Sequence, residues 1–334
     1  MHFDFPAEEK ISESLAKSIT KAEGIHEFLI TDSLLKDPTN RLISWLITFK
    51  IIDLDNSTWA HSLCTLCEEY QKLVNENINE KELNKGEHQI SIFKDLKRTI
   101  HWLVQISEDL EFKEEEFKDG IDRLTRVYTL FNKENGNFHY LQGLDRYGSV
   151  CLIMTSLFTK KNNFSMDFAE CLTFYLTRAI LNAVPFIKTF SEQSAIKDHF
   201  KKVDMILKEC SPNIYKTMIE GECSTLFFGS RWEYLMFADE HSGSEILRIW
   251  DQIFARLEII DKFIPCLTIA HLMQIEFPEE CLSVNELVLH WRKWDINRMI
   301  DDSKNILYHK KTSGQKFCSS VCCCCPRFHG FQLL

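Results

Sequence analysis

The chain has 334 residues, 45% of them hydrophobic and 26% charged, with only 11 Gly and 7 Pro. That balance supports a sizeable buried core and excludes a disordered, collagen-like or Pro-rich linker protein. A formal net charge of -10, from 39 Lys plus Arg against 49 Asp plus Glu, speaks against general affinity for nucleic acid or anionic lipid.

The opening MHFDFPAEEK carries acids where a signal peptide has its basic region and apolar stretch, so no secretory targeting and a cytoplasmic location are expected. Asp4 and Pro6 can open a short amphipathic helix with Ile11, Leu15 and Ile19 at helical spacing. Asp37 and Pro38 start a second helix lined by Leu42, Trp45 and Leu46, and a third runs from Thr58 to about Leu73 with Leu63, Leu66 and Tyr70. The polar stretch 75–88 reads as a surface loop. Ile92, Leu96, Ile100 and Leu103 form the next stripe, and Phe117, Ile121, Leu124, Val127, Tyr128 and Phe131 another, beyond the solvated acid run EDLEFKEEEFKD.

After the turn-rich NKENGN, Leu144 to Phe158 reads as a buried helix, and Phe168 to Phe190 as a helix broken near Pro185. Further helical segments are expected over Phe200–Leu207, Ile214–Ile219, Trp232–Phe237, Ile246–Phe254, Ile260–Met273 and Leu282–Ile300. No convincing strand and no internal repeat occurs. The pattern predicts an all-α architecture, one continuous domain whose weakest boundary lies near residues 150–165. The longest uncharged stretches, Tyr147–Thr159 and Phe263–Ile275, have 13 residues each, short of the ~20 that span a bilayer, so no transmembrane helix is expected.

Neither GxGxxG nor GxxxxGK[ST] occurs, so the chain is not expected to bind a nucleotide by itself. Three strings carry candidate chemistry. In HQISIFKDLKRTIHW, Ile92, Asp95 and Arg98 are three apart on one helical side; an Asp and an Arg so spaced are commonly a surface pair. In HYLQGL, Gly143 can turn the chain and leave the Gln142 amide exposed. SRWEYLMFADEHSGSEILRIWD reads as two short amphipathic segments around a turn, mostly core.

Taken together and in order, these strings resemble the TBC domain of GTPase-activating proteins for Rab small GTPases, over about residues 25–300. The IxxDxxR-Thr signature is matched by Ile92, Asp95, Arg98 and Thr99, and YxQG by Tyr140, Gln142 and Gly143. The third signature is matched by Arg231, Trp232, Phe237, Glu240, Arg248, Trp250 and Asp251. Arg41 and Trp45 resemble the opening LRxxxW element, without its usual Gly-Ile-Pro lead, and Pro212 in CSPNI resembles a D-P-x-L helix start.

The resemblance implies an all-helical, V-shaped domain that binds a GTP-loaded Rab in a groove and serves vesicle trafficking. Such a protein is not an enzyme on its own; it lends catalytic groups in trans, while GTP and Mg belong to the partner, so no cofactor or metal is expected. Arg98 would be the arginine finger and Gln142 the glutamine finger, with Asp95, Tyr140, Gly143, Asp145 and Arg146 supporting or contacting the partner. Arg98 is expected at or next to a helix end, from which it could enter a partner's pocket. The string after Gln142-Gly143 departs from the family: Leu144, Asp145 and Arg146 replace Met or Ile, Asn and an acid, putting a cation beside the partner-facing surface. A catalytically silent Rab-binding scaffold is the alternative.

The 13 Cys, an odd count, point to reduced thiols. Cys64 and Cys67 form CTLC within an apolar helical stripe, without a second pair to complete a zinc site, and read as packing. From Lys304 onward the chain holds Lys304, Lys310, Lys311, Lys316 and Arg327 and no acid, so residues 1–24, 25–300 and 301–334 divide into helical lead-in, TBC domain and basic tail. Acylation of Cys322, Cys323, Cys324 or Cys325 beside that charge would give a peripheral membrane anchor; the other reading is an unmodified tail.

Overall fold

The computed structural model describes residues 1–16, 35–78, 87–136, 140, 142–184, 192–278 and 283–308, with backbone alone at 87–91 and 93. Among these residues every regular element is helical and there is no strand, the all-α class expected from the 3.6-residue periodicity. The chain divides into two compact units, Met1–Glu192 with Arg231–Asp261, and Gln193–Ser230 with Lys262–Leu334. The expected boundary at 150–165 is not where the division falls. Residues 150–162 lie inside a helix almost wholly buried along its length, because apolar side chains cover every face of it.

The first unit contains α1 (Glu8–Leu15), α2 (Pro38–Thr48), α3 (Trp59–Asn77), α4 (Glu87–Ile106), α5 (Gly120–Glu134), α6 (Asp145–Asn162) and α7 (Met166–Ala183). α6 and α7 form its centre, with α2 and α4 against α6 and α5 against both. α1 starts later than Asp4 predicts: Ala7 is its N-cap, while the Asp4 amide donates to Asp167 and its carbonyl accepts from Ser165. At α2 the expected start holds, since Asp37 accepts from the Thr39 amide at 2.8 Å and Pro38 occupies the first turn. The polar stretch 75–88 is helical at both ends, because α3 extends to Asn77 and α4 begins at Glu87; residues 79–86 lie outside the described residues. The acid run forms two short 3₁₀ turns, Glu108–Leu110 and Glu114–Phe117, which send Phe112 and Phe117 inward.

One buried ionic cluster ties three helices. Glu170 of α7, fully buried, accepts from Arg123 at 2.7 Å, from Arg126 at 2.6 Å twice, and from the Tyr70 hydroxyl at 2.7 Å. Four donors from α3 and α5 are what make a carboxylate tolerable there. Burial and the Glu170 charge together push the Tyr70 hydroxyl far above its ordinary pKa, so it remains a donor. Cys64 and Cys67 lie on α3, and burial raises the Cys64 thiol to about 11. Among the described residues no His, Cys, Asp and Glu cluster could hold a metal ion.

The first unit is completed by the end of α10 (Leu226–Tyr234), the turn 235–240 and α11 (Gly243–Phe254). Here the sequence expectation is displaced: a helix over Trp232–Phe237 is replaced by one ending at Tyr234. Met236 and Phe237 take φ of 45° and 63°, and the chain turns with both side chains fully buried. On α11, Ser242 and Glu245 form a capping box, and buried Asp251 accepts from Trp45 Nε1 at 2.8 Å and Arg41 Nε at 3.0 Å. Those two bonds fasten α2 to α11.

In the second unit α8 (Gln193–Cys210) pairs with α9 (Pro212–Glu220), and Asp204 accepts from Ser224 and Thr225 to fix the lead into α10. α12 (Ile260–Leu272) follows. The single helix expected over Leu282–Ile300 is two, α13 (Val284–His290) and α14 (Ile296–Leu307), separated by extended residues 291–295. Asp295 caps α14 through the Arg298 amide at 3.1 Å, while its own backbone exchanges two hydrogen bonds with Gln274. Among the described residues no helix is long and apolar enough to cross a membrane. Ile19, Pro185, Cys318 and Cys322–Cys325 lie outside the described residues.

Candidate functional site

All of the site lies in the first unit. A cleft of about 300 Å³ is lined by Asp95, Arg98 and Thr99 of α4, Gln142, Gly143, Asp145 and Arg146 at the start of α6, and Arg231, Tyr234, Leu235 and Asp239 around the end of α10. α4 has a buried face and an outward one. Ile92, Leu96, Thr99 and Leu103 are buried on the inner face, which leaves Arg98 outward with 69% of its side chain exposed.

Arg98 sits about two turns inside the C-terminal end of α4, not at a helix end. The helix side itself forms the cleft wall, so a long side chain reaches open space without a terminus to carry it. Its guanidinium donates to Oδ1 of Asp95, one turn earlier and only 9% exposed. Asp95 thus holds Arg98 along the helix wall.

Gln142 is exposed on the tight turn 142–144 that precedes α6. The turn depends on Gly143, whose φ of +102° is one that L side chains rarely adopt; a Cβ there would stand 2.8 Å from Leu235 Cδ2 and 3.2 Å from Tyr234 Cε1. Gly143→Ala is therefore expected to cost about 1–3 kcal/mol and to displace Gln142. A thermal melt checks the first effect and amide exchange across 140–147 the second.

Asp145 organises the turn. It is 2% exposed, and its Oδ1 accepts from the Gly143 amide and the Tyr140 hydroxyl, both at 3.1 Å. Its Oδ2 accepts from Thr99 and, at 2.7 Å, from Arg146 Nη1. With both oxygens so engaged, Asp145 supports the turn from inside and offers no free edge to a partner. Burial first, then the Asp145 charge, raises the Tyr140 hydroxyl far above its usual pKa, so Tyr140 stays protonated and donating.

Arg146, read from sequence as a cation facing outward, is mostly drawn inward. Its side chain is 18% exposed, Nε donates to Asp239 at 2.7 Å, Nη1 also donates to Thr99 Oγ1 at 2.7 Å, and the guanidinium lies 4.3 Å from the Trp102 ring centroid. Two of its partners, Trp102 and Asp239, escaped sequence reasoning. Trp102 falls four residues after Arg98, on the same helical face, which was a readable signal; Asp239 sits in a turn that nothing in the sequence marks.

The remaining signature residues lie at the cleft edge or in the core. Arg231 donates to Glu240 at the edge of the cleft, Trp232 is 1% exposed against Phe237, and Arg248 is half-buried on α11. Trp250 is fully buried among Trp45, Tyr147 and Phe254, its Nε1 donating to the Met236 carbonyl at 3.1 Å.

Residues 27–278, three quarters of the chain, match the Rab-GTPase-TBC domain family. The chain belongs to that family. The TBC domain is 27% identical over 133 residues to TBC1 domain family member 13 of Mus musculus and of Homo sapiens. It is 23% identical over 177 residues to GTPase-activating protein GYP5 of Saccharomyces cerevisiae. The matches cover 39% and 53% of this chain, and they span 33% and 17% of those relatives' lengths. Its fold resembles the Ypt/Rab-GAP domain of Gyp1p, with a TM-score of 0.65 at 12% identity over 90% of this chain and 98% of that one. It also resembles the flagellar RabGAP TBC domain of Chlamydomonas, with a TM-score of 0.54 at 15% identity over 81% and 80% of the two chains.

Proposed function

We propose that this TBC domain accelerates GTP hydrolysis by a Rab-family small GTPase, with Arg98 and Gln142 supplied in trans. The observation that carries the reading is that an exposed guanidinium and an exposed carboxamide line the same cleft, the guanidinium held by buried Asp95 and the turn that carries the carboxamide held by buried Asp145. Membership of the family, and the GTPase-activating and Rab-GAP names its relatives carry, agree with it.

Hydrolysis develops negative charge on the transferring phosphoryl oxygens and the leaving oxygen. Arg98 answers that charge with a planar five-donor fork, more weakly hydrated than an ammonium, and closure of the partner over the cleft excludes water from the interaction. Asp95 limits the rotamers of Arg98 before the partner arrives, which lowers the entropy lost on insertion. Gln142 offers a carbonyl oxygen to accept from the attacking water and an NH₂ to bond elsewhere, so it can orient the water on the line of attack. GTP and Mg²⁺ come with the GTPase.

The proposed domain runs over about residues 25–300, and the basic tail from Lys304, with Cys322–Cys325, is proposed to hold it peripherally at a membrane carrying the GTPase. The test of the activity is a GTP hydrolysis screen of the full chain against a panel of GTP-loaded Rabs. Stimulation of one or a few members is expected; binding without stimulation of any would make the chain a silent Rab-binding scaffold.

A further inference from the structure

We propose that Arg146 is the positioning residue that couples the Gln142 turn to the Arg98 helix, so that the two fingers are set relative to one another by a single guanidinium. The inference rests on the reading of Arg98 and Gln142 given above. Its basis is the set of three segments that one side chain joins. Nη1 donates to Thr99, the immediate neighbour of Arg98 on α4; the same nitrogen donates to Asp145, whose other oxygen holds Tyr140 and the Gly143 amide, the residues flanking Gln142. Nε donates to Asp239 of the turn 235–240, and the plane lies over Trp102, one helical turn beyond Arg98.

Only an arginine fits these demands. The contacts diverge from one planar group toward two carboxylates, a hydroxyl and a ring face, whereas a lysine would present one point of charge to all of them. With 18% of the side chain exposed, the bonds are largely shielded from water, and removing the cation leaves Asp145 buried without its counter-charge. The turn must then open to hydrate that carboxylate, which releases the Gly143 amide and with it the placement of Gln142. Thr99 loses the same donor, so α4 loosens beside Arg98.

The test compares the full-length wild type, Arg146→Met and Arg146→Lys by amide hydrogen exchange. Arg146→Met should speed exchange roughly 10-fold or more in peptides covering 140–147 and 95–102, and leave α7 unchanged, with Arg146→Lys intermediate. Asp239→Ala removes one arm at a partly exposed site and should give the same pattern at smaller amplitude, including when the Met variant fails to fold. On a Rab that the wild type stimulates, Arg146→Met should lower kcat about 100-fold, the cost of a small misplacement of catalytic groups, with KM changed less than about 3-fold. Unchanged exchange at 140–147, or equal acceleration throughout α7, would overturn the coupling, and a raised KM at unchanged kcat would make Arg146 a partner contact. Should the wild type stimulate no Rab, the functional reading fails while the exchange comparison still decides the coupling.

Discussion

Arg98→Ala is expected to reduce stimulated GTP hydrolysis by ~10³ to 10⁵-fold, the range over which an arginine supplied in trans acts. Folding should be nearly untouched, because the side chain is 69% exposed and contributes no core packing. Asp95, its ionic partner among the described residues, also lines the open cleft, so water can replace the guanidinium there. Arg98→Lys separates charge from geometry. It keeps the cation but loses the planar fork, and most of the stimulation should go with it. Single-turnover hydrolysis at saturating activator measures the loss, and a thermal melt within about 2 °C of wild type shows that the fold survives.

Trp250→Ala should have the opposite signature. The indole is fully buried, packed against Trp45, Tyr147 and Phe254, and its removal leaves a cavity typically worth ~3–5 kcal/mol. The Met236 carbonyl also loses its donor, in a turn where Met236 and Phe237 already hold positive φ. A fall in melting temperature of roughly 10 °C is expected. Any loss of activity in this variant should recover on cooling or at higher partner concentration, whereas that of Arg98→Ala should not.

Much of this was legible in the sequence for a definite reason. Long helices such as α4, α5 and α11 carry apolar side chains at the 3.6-residue period, and period is a local property. The failures occur where tertiary context overrides local signals. Leu235, Met236 and Phe237 look like the continuation of a helix, and only their burial in a turn stabilises positive φ at residues that are neither Gly nor Asn. The segment Leu282–Ile300 has apolar residues at helical spacing, yet it is divided where the Asp295 side chain accepts from the Arg298 amide and caps α14.

The site shows the same division. Arg98, Gln142 and Gly143 could be named from motif order, and Gly143 from the turn it makes. The inward direction of Asp145 and Arg146 could not, because it depends on Thr99 and Asp239, residues 46 positions earlier and 93 positions later in the chain. A cation next to Gln142 reads as a partner-facing charge until its acceptors are seen.

Gln142 is proposed to perform the water-positioning step ordinarily left to the GTPase's own glutamine. The most direct measurement uses a Rab that the wild-type chain stimulates, together with its variant carrying Ala in place of that glutamine, each hydrolysed with wild-type chain and with Gln142→Ala. The wild-type chain should still activate the Rab variant strongly, and Gln142→Ala should activate neither form. Loss of activation when the GTPase glutamine is replaced, with full activation of the unaltered Rab by Gln142→Ala, would contradict it.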